Sequence, residues 1–229
     1  MDQLTLDLIE HMSECVTEKR LALFKQVLVE RTRYITVLLE DIYQSQNASA
    51  VLRTCDCTGI QDVHIVEERN EYEINRDVAL GADQWLSLNY YNEGKNNIYR
   101  AIETLKDKGY RIVATSPHKD GVSPEHFDLQ KGKAALMFGT ELNGLSEGAL
   151  ELADEYIQIP MAGFTESYNI SVSAAITLYT LRKRLEVSSL KWKICEEEQS
   201  ELLLNWLRGT IKMSDQIENK FIRDYQSDF

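Results

Sequence analysis

The sequence predicts an α/β domain with a parallel sheet covered by helices on both faces, and three observations support this prediction. Short runs of β-forming residues alternate with helical segments along most of the chain. Several of these runs are apolar throughout, as expected for strands buried on both faces. The 229 residues are 43% hydrophobic and 27% charged, which is sufficient for a large core.

Six strands are predicted from the apolar runs and four helices from the segments between them. The strands are residues 34–39, 63–66, 86–91, 111–115, 134–139 and 156–159. The helices are residues 48–57, 97–108, 146–153 and 170–186, with Gly59 and Gly109 at the ends of the first two and Ser146 as N-cap of the third. Residues 68–84 are predicted to be irregular.

Helical sequence flanks this α/β region. We therefore divide the chain into an N-terminal helical extension (1–32), a central domain (33–187) and a C-terminal helical extension (188–229). Both extensions are rich in Lys and Arg but also in acids. Either solvated helix faces or an RNA-contacting surface explains these charges.

Composition excludes several classes of protein. The net charge of −12 opposes general binding to nucleic acid, although a local basic patch is compatible with it. The four cysteines and four histidines lack metal-ligand spacing, so no metal is expected. No signal peptide and no apolar run of about 18 residues is visible, so we expect a cytoplasmic protein without membrane segments.

The first candidate motif is residues 47–54, which follow the first strand. Asn47 is predicted to cap the following helix, and Arg53 lies six residues further on. The long stem of Arg53 is able to reach back toward the helix start, where its guanidinium would bind a phosphate through two bonds. A surface salt bridge is the alternative interpretation of Arg53.

The second motif is residues 138–146, in which a strand leads through a turn to a capped helix. Gly139 and Gly144 allow backbone N–H groups to approach a ligand closely. The segment is neither a G-x-G-x-x-G fingerprint nor a P-loop, so a tight turn without a ligand is the alternative.

The third motif begins with Ile159-Pro160-Met161 and continues as Ser167-Tyr168-Asn169-Ile170-Ser171. It places polar side chains between a strand and a helix that opens with small residues. Helix capping is the alternative explanation for Ser167 and Asn169, and helix packing explains Ser171 and Ser173.

Together, in this order, the three motifs resemble those of the SPOUT-class RNA methyltransferases of the SpoU/TrmH family, over residues 34–185. Residues 47–54 match N-x-x-A-x-x-R-T, residues 138–146 match F-G-x-E-x-x-G-L-S, and the third motif matches I-P-M…S-L-N-V-S. Tyr168 departs from the pattern, because leucine is usual at this position.

The resemblance implies a C-terminal deep trefoil knot, an exception to the rule that protein chains are not threaded through their own loops. It also implies a homodimer and S-adenosyl-L-methionine bound between the knot loops.

The resemblance further implies methyl transfer to a ribose 2′-hydroxyl. It assigns catalysis to Arg53, which is protonated at neutral pH and is expected to polarise the hydroxyl while a substrate phosphate accepts the proton. The other residues assigned to the catalytic group are Asn47, Glu141, Ser167 and Asn169. The residues expected to border the cofactor are Thr115, Gly139, Gly144, Ile159, Met161 and Tyr168.

The function expected from the resemblance is 2′-O-methylation of RNA, with the D-loop guanosine of tRNA as the first substrate candidate. A ribosomal RNA substrate is the alternative within the enzyme class. A non-catalytic RNA-binding homologue is a second alternative, which the acidity favours and the intact motifs oppose. A dinucleotide enzyme is opposed by the missing G-x-G-x-x-G after the first strand.

Overall fold

A computed structural model describes residues 2–117 and 119–227. The chain divides into two compact units, one of residues 32–192 and one that combines residues 1–31 with 193–229. Within the described residues, no helix is long and apolar enough to cross a membrane.

The larger unit is built on a parallel six-stranded sheet, which confirms the predicted α/β class. The strands are β1 (Ile35–Glu40), β2 (Asp62–Val66), β3 (Ser87–Tyr91), β4 (Arg111–Thr115), β5 (Ala134–Phe138) and β6 (Glu155–Ile157). Their order across the sheet is β3-β2-β1-β5-β4-β6, and all their pairings are parallel. The strand order reverses beside β1, where open α/β sheets bind ligands at the carboxyl ends of their strands.

Helices cover both faces of this sheet. They are α3 (Ser45–Thr58), α4 (Arg76–Ala79), α5 (Asn97–Asp107), α6 (Glu147–Glu151) and α7 (Ile170–Glu186), with short 3-10 turns at Ala82–Gln84 and Leu129–Lys131. One core cluster contains apolar side chains of α3 and α7, such as Leu52 and Leu178. The other contains those of α5 and α6, such as Ile102 and Ala149. All six residues of β1 are buried, which agrees with the apolar side chains at four of its positions; Thr36 and Glu40 are buried polar exceptions.

Helix ends follow the sequence signals in most places. Gly59 ends α3 with a positive φ of 77°, a conformation that glycine adopts at little cost. Ser146 caps α6 by accepting a hydrogen bond from the backbone N–H of Ala149. The segment predicted to be irregular contains the short helix α4 and the 3-10 turn at Ala82–Gln84, both too short to show a helical periodicity.

The smaller unit consists of helices α1 (Gln3–Glu14), α2 (Glu18–Leu28), α8 (Glu196–Thr210) and α9 (Ser214–Ser227). Asp2 and Thr17 cap the first two helices. In its core, Phe24 meets Trp206 edge to face at 5.6 Å, and Trp206 also lies 5.3 Å from the guanidinium of Arg31. A largely buried aromatic and cation cluster therefore joins helices from both ends of the chain.

Candidate active site

A cavity of about 280 Å³ lies where β4, β5 and β6 end. It is lined by residues that follow these strands and by the first turns of α7. The lining residues are Thr115, Ser116, Pro117, Lys119, Phe138, Gly139, Thr140, Glu141, Leu142, Asn143, Gly144, Leu145, Leu150, Ile157, Ile159, Met161, Ser167, Tyr168, Ile170, Ser173 and Thr177.

The turn after β5 forms one wall of this cavity. Thr140 and Gly144 exchange backbone hydrogen bonds of 2.9 and 3.0 Å, and Gly144 has a φ of 67°. A Cβ added to Gly139 would lie 2.2 Å from the carbonyl carbon and oxygen of Gly144, so no side chain fits there. Both glycines are therefore required by the backbone path of the turn.

Three side chains, one from each motif, form a connected polar network. The Nδ2 of Asn47 donates to Oε1 of Glu141 at 2.6 Å, and Nδ2 of Asn169 donates to Oδ1 of Asn47 at 3.2 Å. Asn47 also donates to Oε1 of Gln44 at 3.0 Å, so both of its amide hydrogens are used. Since these residues are far apart in the chain, the network shows that the fold brings the three motifs together.

Asn169 has a second role at the start of α7. Its Oδ1 accepts hydrogen bonds from the backbone N–H and the hydroxyl of Ser171, at 2.9 and 2.6 Å. Asn169 is therefore the N-cap of α7, and its amide nitrogen is left to bind Asn47. Capping and participation in the network, which the sequence left as alternatives, occur together.

Asn47 is not the N-cap of α3, so that prediction is wrong. The helix begins three residues earlier than predicted, at Ser45, and Gln44 occupies the capping position without a side-chain capping bond. Asn47 lies in the first helical turn, where its backbone N–H bonds to the carbonyl of Gln44. Its side chain bonds to the side chains of Glu141, Asn169 and Gln44.

Arg53 lies apart from the cavity of its own chain. It is exposed on α3, it is not among the lining residues, and no described residue forms a hydrogen bond or ion pair with its guanidinium. The structure therefore joins Asn47, Glu141 and Asn169, and leaves Arg53 outside that group.

The other residues assigned by resemblance lie around the cavity. All six expected to border the cofactor line it, as do Glu141 and Ser167. Tyr168, the departure from the family pattern, is 45% exposed at the cavity wall. The hydroxyl of Thr115 donates to the carbonyl of Met137 at 2.7 Å, which fixes its side chain. His118, which follows the Thr115-Ser116-Pro117 loop and was a further sequence candidate for lining the site, lies outside the described residues.

Several lining residues were missed from the sequence. Ser173 and Thr177 follow Ile170 at spacings of three and seven residues, so the three share one face of α7 that lines the cavity. That helical spacing was visible, but the small residues were interpreted as packing. Lys119 follows β4 in a polar loop, and with Glu141 it is one of two charged residues in the lining. Gln44, which accepts a hydrogen bond from Asn47 and does not line the cavity, belongs to no motif and was not predicted to take part in the site.

Glu40 is a buried carboxyl group close to this site. It is 4% exposed at the end of β1 and accepts two hydrogen bonds from Ser146. Burial raises the pKa of Glu40 above its usual value, and the two bonds from Ser146 partly oppose that rise. Among the residues that the structure describes, no cluster of His, Cys, Asp or Glu is suited to hold a metal ion.

Comparison with known proteins agrees with these motifs. Residues 34–179 match the model of the SpoU rRNA Methylase family. A tRNA (guanosine(18)-2′-O)-methyltransferase of Borreliella burgdorferi is 45% identical over 96% of this chain and 98% of its own length. An enzyme of the same name from Thermus thermophilus is 34% identical, over 84% of this chain and 97% of its own.

A solved structure shares the fold. The A. aeolicus TrmH/SpoU tRNA modifying enzyme matches with a TM-score of 0.73 and 31% identity, covering 85% of this chain and 98% of that one. The resemblance found in the sequence is thereby confirmed, and this chain belongs to the SpoU methylase family.

Proposed function

We propose that this chain is an S-adenosylmethionine-dependent tRNA guanosine 2′-O-methyltransferase. The observation that carries the proposal is the network of Asn47, Glu141 and Asn169 at the edge of a cavity formed by strand ends. Relatives that align with nearly their whole length carry the name of this activity. The modified nucleotide is the D-loop guanosine of tRNA, and those names specify guanosine 18.

The cavity suits S-adenosylmethionine, which supplies a methyl group on a sulfonium. Its volume is near the lower end of the ~300 to 1,000 Å³ range of ligand pockets. Apolar walls from Ile159 and Met161 suit an adenine ring, while the glycine turn exposes backbone groups for hydrogen bonding. Lys119 and Glu141 provide opposite charges for a ligand that carries both an ammonium and a carboxylate group.

The residues of the network position the reacting groups. Glu141 holds Asn47, and Asn47 holds Asn169, so the three motifs keep a fixed geometry around the cavity mouth. Ser167, exposed on the cavity wall, orients the ribose. Arg53 polarises the 2′-hydroxyl and binds the neighbouring phosphate, which accepts the hydroxyl proton. S-adenosylmethionine, when bound, would supply the methyl group that this oxygen accepts.

The working enzyme is a homodimer in which Arg53 acts at the cavity of the partner subunit. Two observations support this arrangement. Arg53 is exposed on α3, a helix that packs against α7, and its guanidinium forms no hydrogen bond or ion pair with the described residues. In addition, α7 exposes Val172 and Tyr179, two turns apart, at 42% and 60%. Large apolar side chains in such a row are typical of a helix that packs against a second subunit.

The remaining features are proposed with the function. The C-terminal part of the domain forms a deep trefoil knot, as the family resemblance implies. The domain comprises residues 33–187, flanked by helical extensions, and the protein acts in the cytoplasm.

The exposed Lys19, Arg20 and Lys25 of α2 bind tRNA phosphates, which explains how a chain of net charge −12 binds RNA.

The test uses labelled methyl donor with separated tRNA and ribosomal RNA, followed by nucleoside mapping. We expect label in tRNA, as 2′-O-methylguanosine in the D-loop. Label confined to ribosomal RNA would establish the alternative substrate. Cofactor binding without label in any RNA would establish a non-catalytic RNA-binding homologue.

A further inference from the structure

The turn that forms one cavity wall is fixed at one end by the first turn of α3 and at the other by the last residue of β1. At one end Glu141 accepts a hydrogen bond from Asn47. At the other end Ser146 donates twice to Glu40, from its backbone N–H to Oε2 at 2.9 Å and from its hydroxyl to Oε1 at 2.5 Å. Motif resemblance assigned a role to the first attachment and none to the second.

Both attachments are bonds to a carboxylate, but the second contains two hydrogen bonds where the first contains one. Glu40 directs both carboxylate oxygens to one residue, and bonds to a carboxylate are roughly twice as strong as those between neutral groups. The Glu40 carboxyl group is buried, whereas Ser146 is exposed to solvent. The carboxyl group thus holds the point where the turn ends and α6 begins.

The turn has little freedom to absorb a loss of this attachment. Gly139 approaches the backbone of Gly144 so closely that a Cβ would not fit, and the next residue, Leu145, is buried while lining the cavity. A shift at Ser146 is therefore transmitted to Leu145 and Gly144 at the cavity surface.

The neighbouring carboxylate provides a natural comparison. Oδ1 of Asp41 accepts backbone N–H bonds from Arg69 and Asn70, both at 2.8 Å, and a longer one from Glu68. None of these three residues lines the cavity. Two adjacent carboxylates at the end of β1 therefore hold different loops, and only that of Glu40 is connected to the cavity.

We infer that Glu40 is a positioning residue for cofactor binding, which acts by holding Ser146 and thereby the shape of the 139–146 turn. The inference rests on the proposed function, because it takes the ligand of the cavity to be S-adenosylmethionine. It concerns affinity for the cofactor and not the chemical step.

The test compares Glu40→Gln and Ser146→Ala with Asp41→Asn as the matched control. Binding of S-adenosylhomocysteine to the full chain is measured by calorimetry, together with thermal unfolding and the steady-state kinetics of tRNA methylation. We expect both site variants to raise the dissociation constant about five- to tenfold, in line with the loss of one or two hydrogen bonds. The KM for S-adenosylmethionine should rise similarly, with kcat within about twofold of the wild type.

Three further variants distinguish a positioning role of Glu40 from a general loss of stability. Ser146→Thr, which keeps the hydroxyl, is expected to bind like the wild type. Asp41→Asn is expected to lower the unfolding temperature without weakening binding. The double variant Glu40→Gln with Ser146→Ala should bind no more weakly than Ser146→Ala alone, because the two residues act through one contact.

Unchanged binding in folded Glu40→Gln and Ser146→Ala would overturn the inference, and so would equal weakening by Asp41→Asn. If Glu40→Gln does not fold, the comparison of S-adenosylhomocysteine binding between Ser146→Ala and Ser146→Thr tests the inference. These outcomes leave the proposed function intact, whereas a wild-type chain that binds no S-adenosylhomocysteine would overturn both.

Discussion

The two faces of helix α3 differ sharply, although one sequence motif supplies both. One face carries Asn47, which is 9% exposed and bonded to residues of the other two motifs. The other carries Arg53, which is exposed and has no hydrogen bond or ion pair to any residue the structure describes. The difference indicates that the motif serves two tasks. Its first half connects the three motifs of its own chain, and we propose that its second half is presented to another molecule.

The largest effect is expected from Gly139→Val, which tests the cavity side of this comparison. Its side chain would collide with the backbone of Gly144, so cofactor binding and methyl transfer should both fall below detection. Gly163→Ala is the matched control, since a Cβ at Gly163 has no atom within 4 Å, and it should bind normally. Equilibrium binding of S-adenosylhomocysteine makes the measurement. Binding by a folded Gly139→Val variant would contradict this account of the turn.

Arg53→Ala tests the other face. We expect methyl transfer to fall by about 10²- to 10⁴-fold, the range typical of losing a group that assists proton transfer. Cofactor affinity should stay within about threefold, because Arg53 does not line the cavity of its own chain. Arg53→Lys keeps the charge but not the two-pronged geometry, and it should restore only part of the rate. Near-normal turnover of Arg53→Ala would exclude its catalytic role.

Mixed dimers sharpen the comparison further. A dimer of one Arg53→Ala chain and one Gly139→Val chain contains one intact cavity, and the only intact Arg53 belongs to the opposite subunit. If Arg53 acts across the interface, the mixture should regain up to half of the wild-type activity per dimer. If Arg53 acts within its own chain, the mixture stays inactive. Purified heterodimers with two different affinity tags allow the measurement.

Asn47→Asp should have a smaller effect. It places a second carboxylate within hydrogen-bonding distance of Glu141, so the two repel each other unless one takes up a proton. We expect catalytic efficiency to fall about tenfold at neutral pH and to recover partly as the pH is lowered. A pH–rate profile compared with that of the wild type measures this effect. A profile parallel to the wild type would show that Asn47 and Glu141 are not in contact during catalysis.

The smallest effect on activity is expected from His64, which lies in the sheet away from the cavity. Burial lowers the pKa of His64 from its usual 6.5 to about 4. The neutral ring is favoured in the folded state, so stability is lost as the pH falls below 6.5 toward 4, by about 3 kcal/mol in all. In His64→Gln this part of the pH dependence should disappear, with activity per folded molecule unchanged. Urea unfolding at several pH values provides the check.

Much of the fold was predictable because its signals are local. The apolar runs located the six strands to within about two residues, and α7 begins and ends where predicted. The helix start at Asn47 was misplaced because a residue with a strong preference for N-caps is used instead in contacts with residues distant in sequence. Such contacts depend on the folded chain, and propensity alone does not contain them.

The site was predictable in part for the same reason. Family motifs identified part of the cavity lining, such as Gly139, Gly144 and Ile159, whereas the lining residue Thr177 belongs to no motif and was missed, as were the roles of Glu40 and Gln44 beside the cavity. The separation of Arg53 from Asn47 follows from geometry, since six residues at 3.6 per turn place them roughly 120° apart around the helix axis. That angle argues against both side chains entering one cavity from the same helix.

The position of β5 between β1 and β4 has a consequence for biosynthesis. During synthesis, β1 cannot pair with β5 until the ribosome has reached Ala134, the partner of Ile35. The cavity forms later still, because residues of α7 line it. Contacts so distant in sequence slow folding and leave early segments exposed in the meantime. A nascent chain released before α7 would lack the cavity, so the ability to retain a cofactor reports that translation has passed α7 and that the sheet has formed.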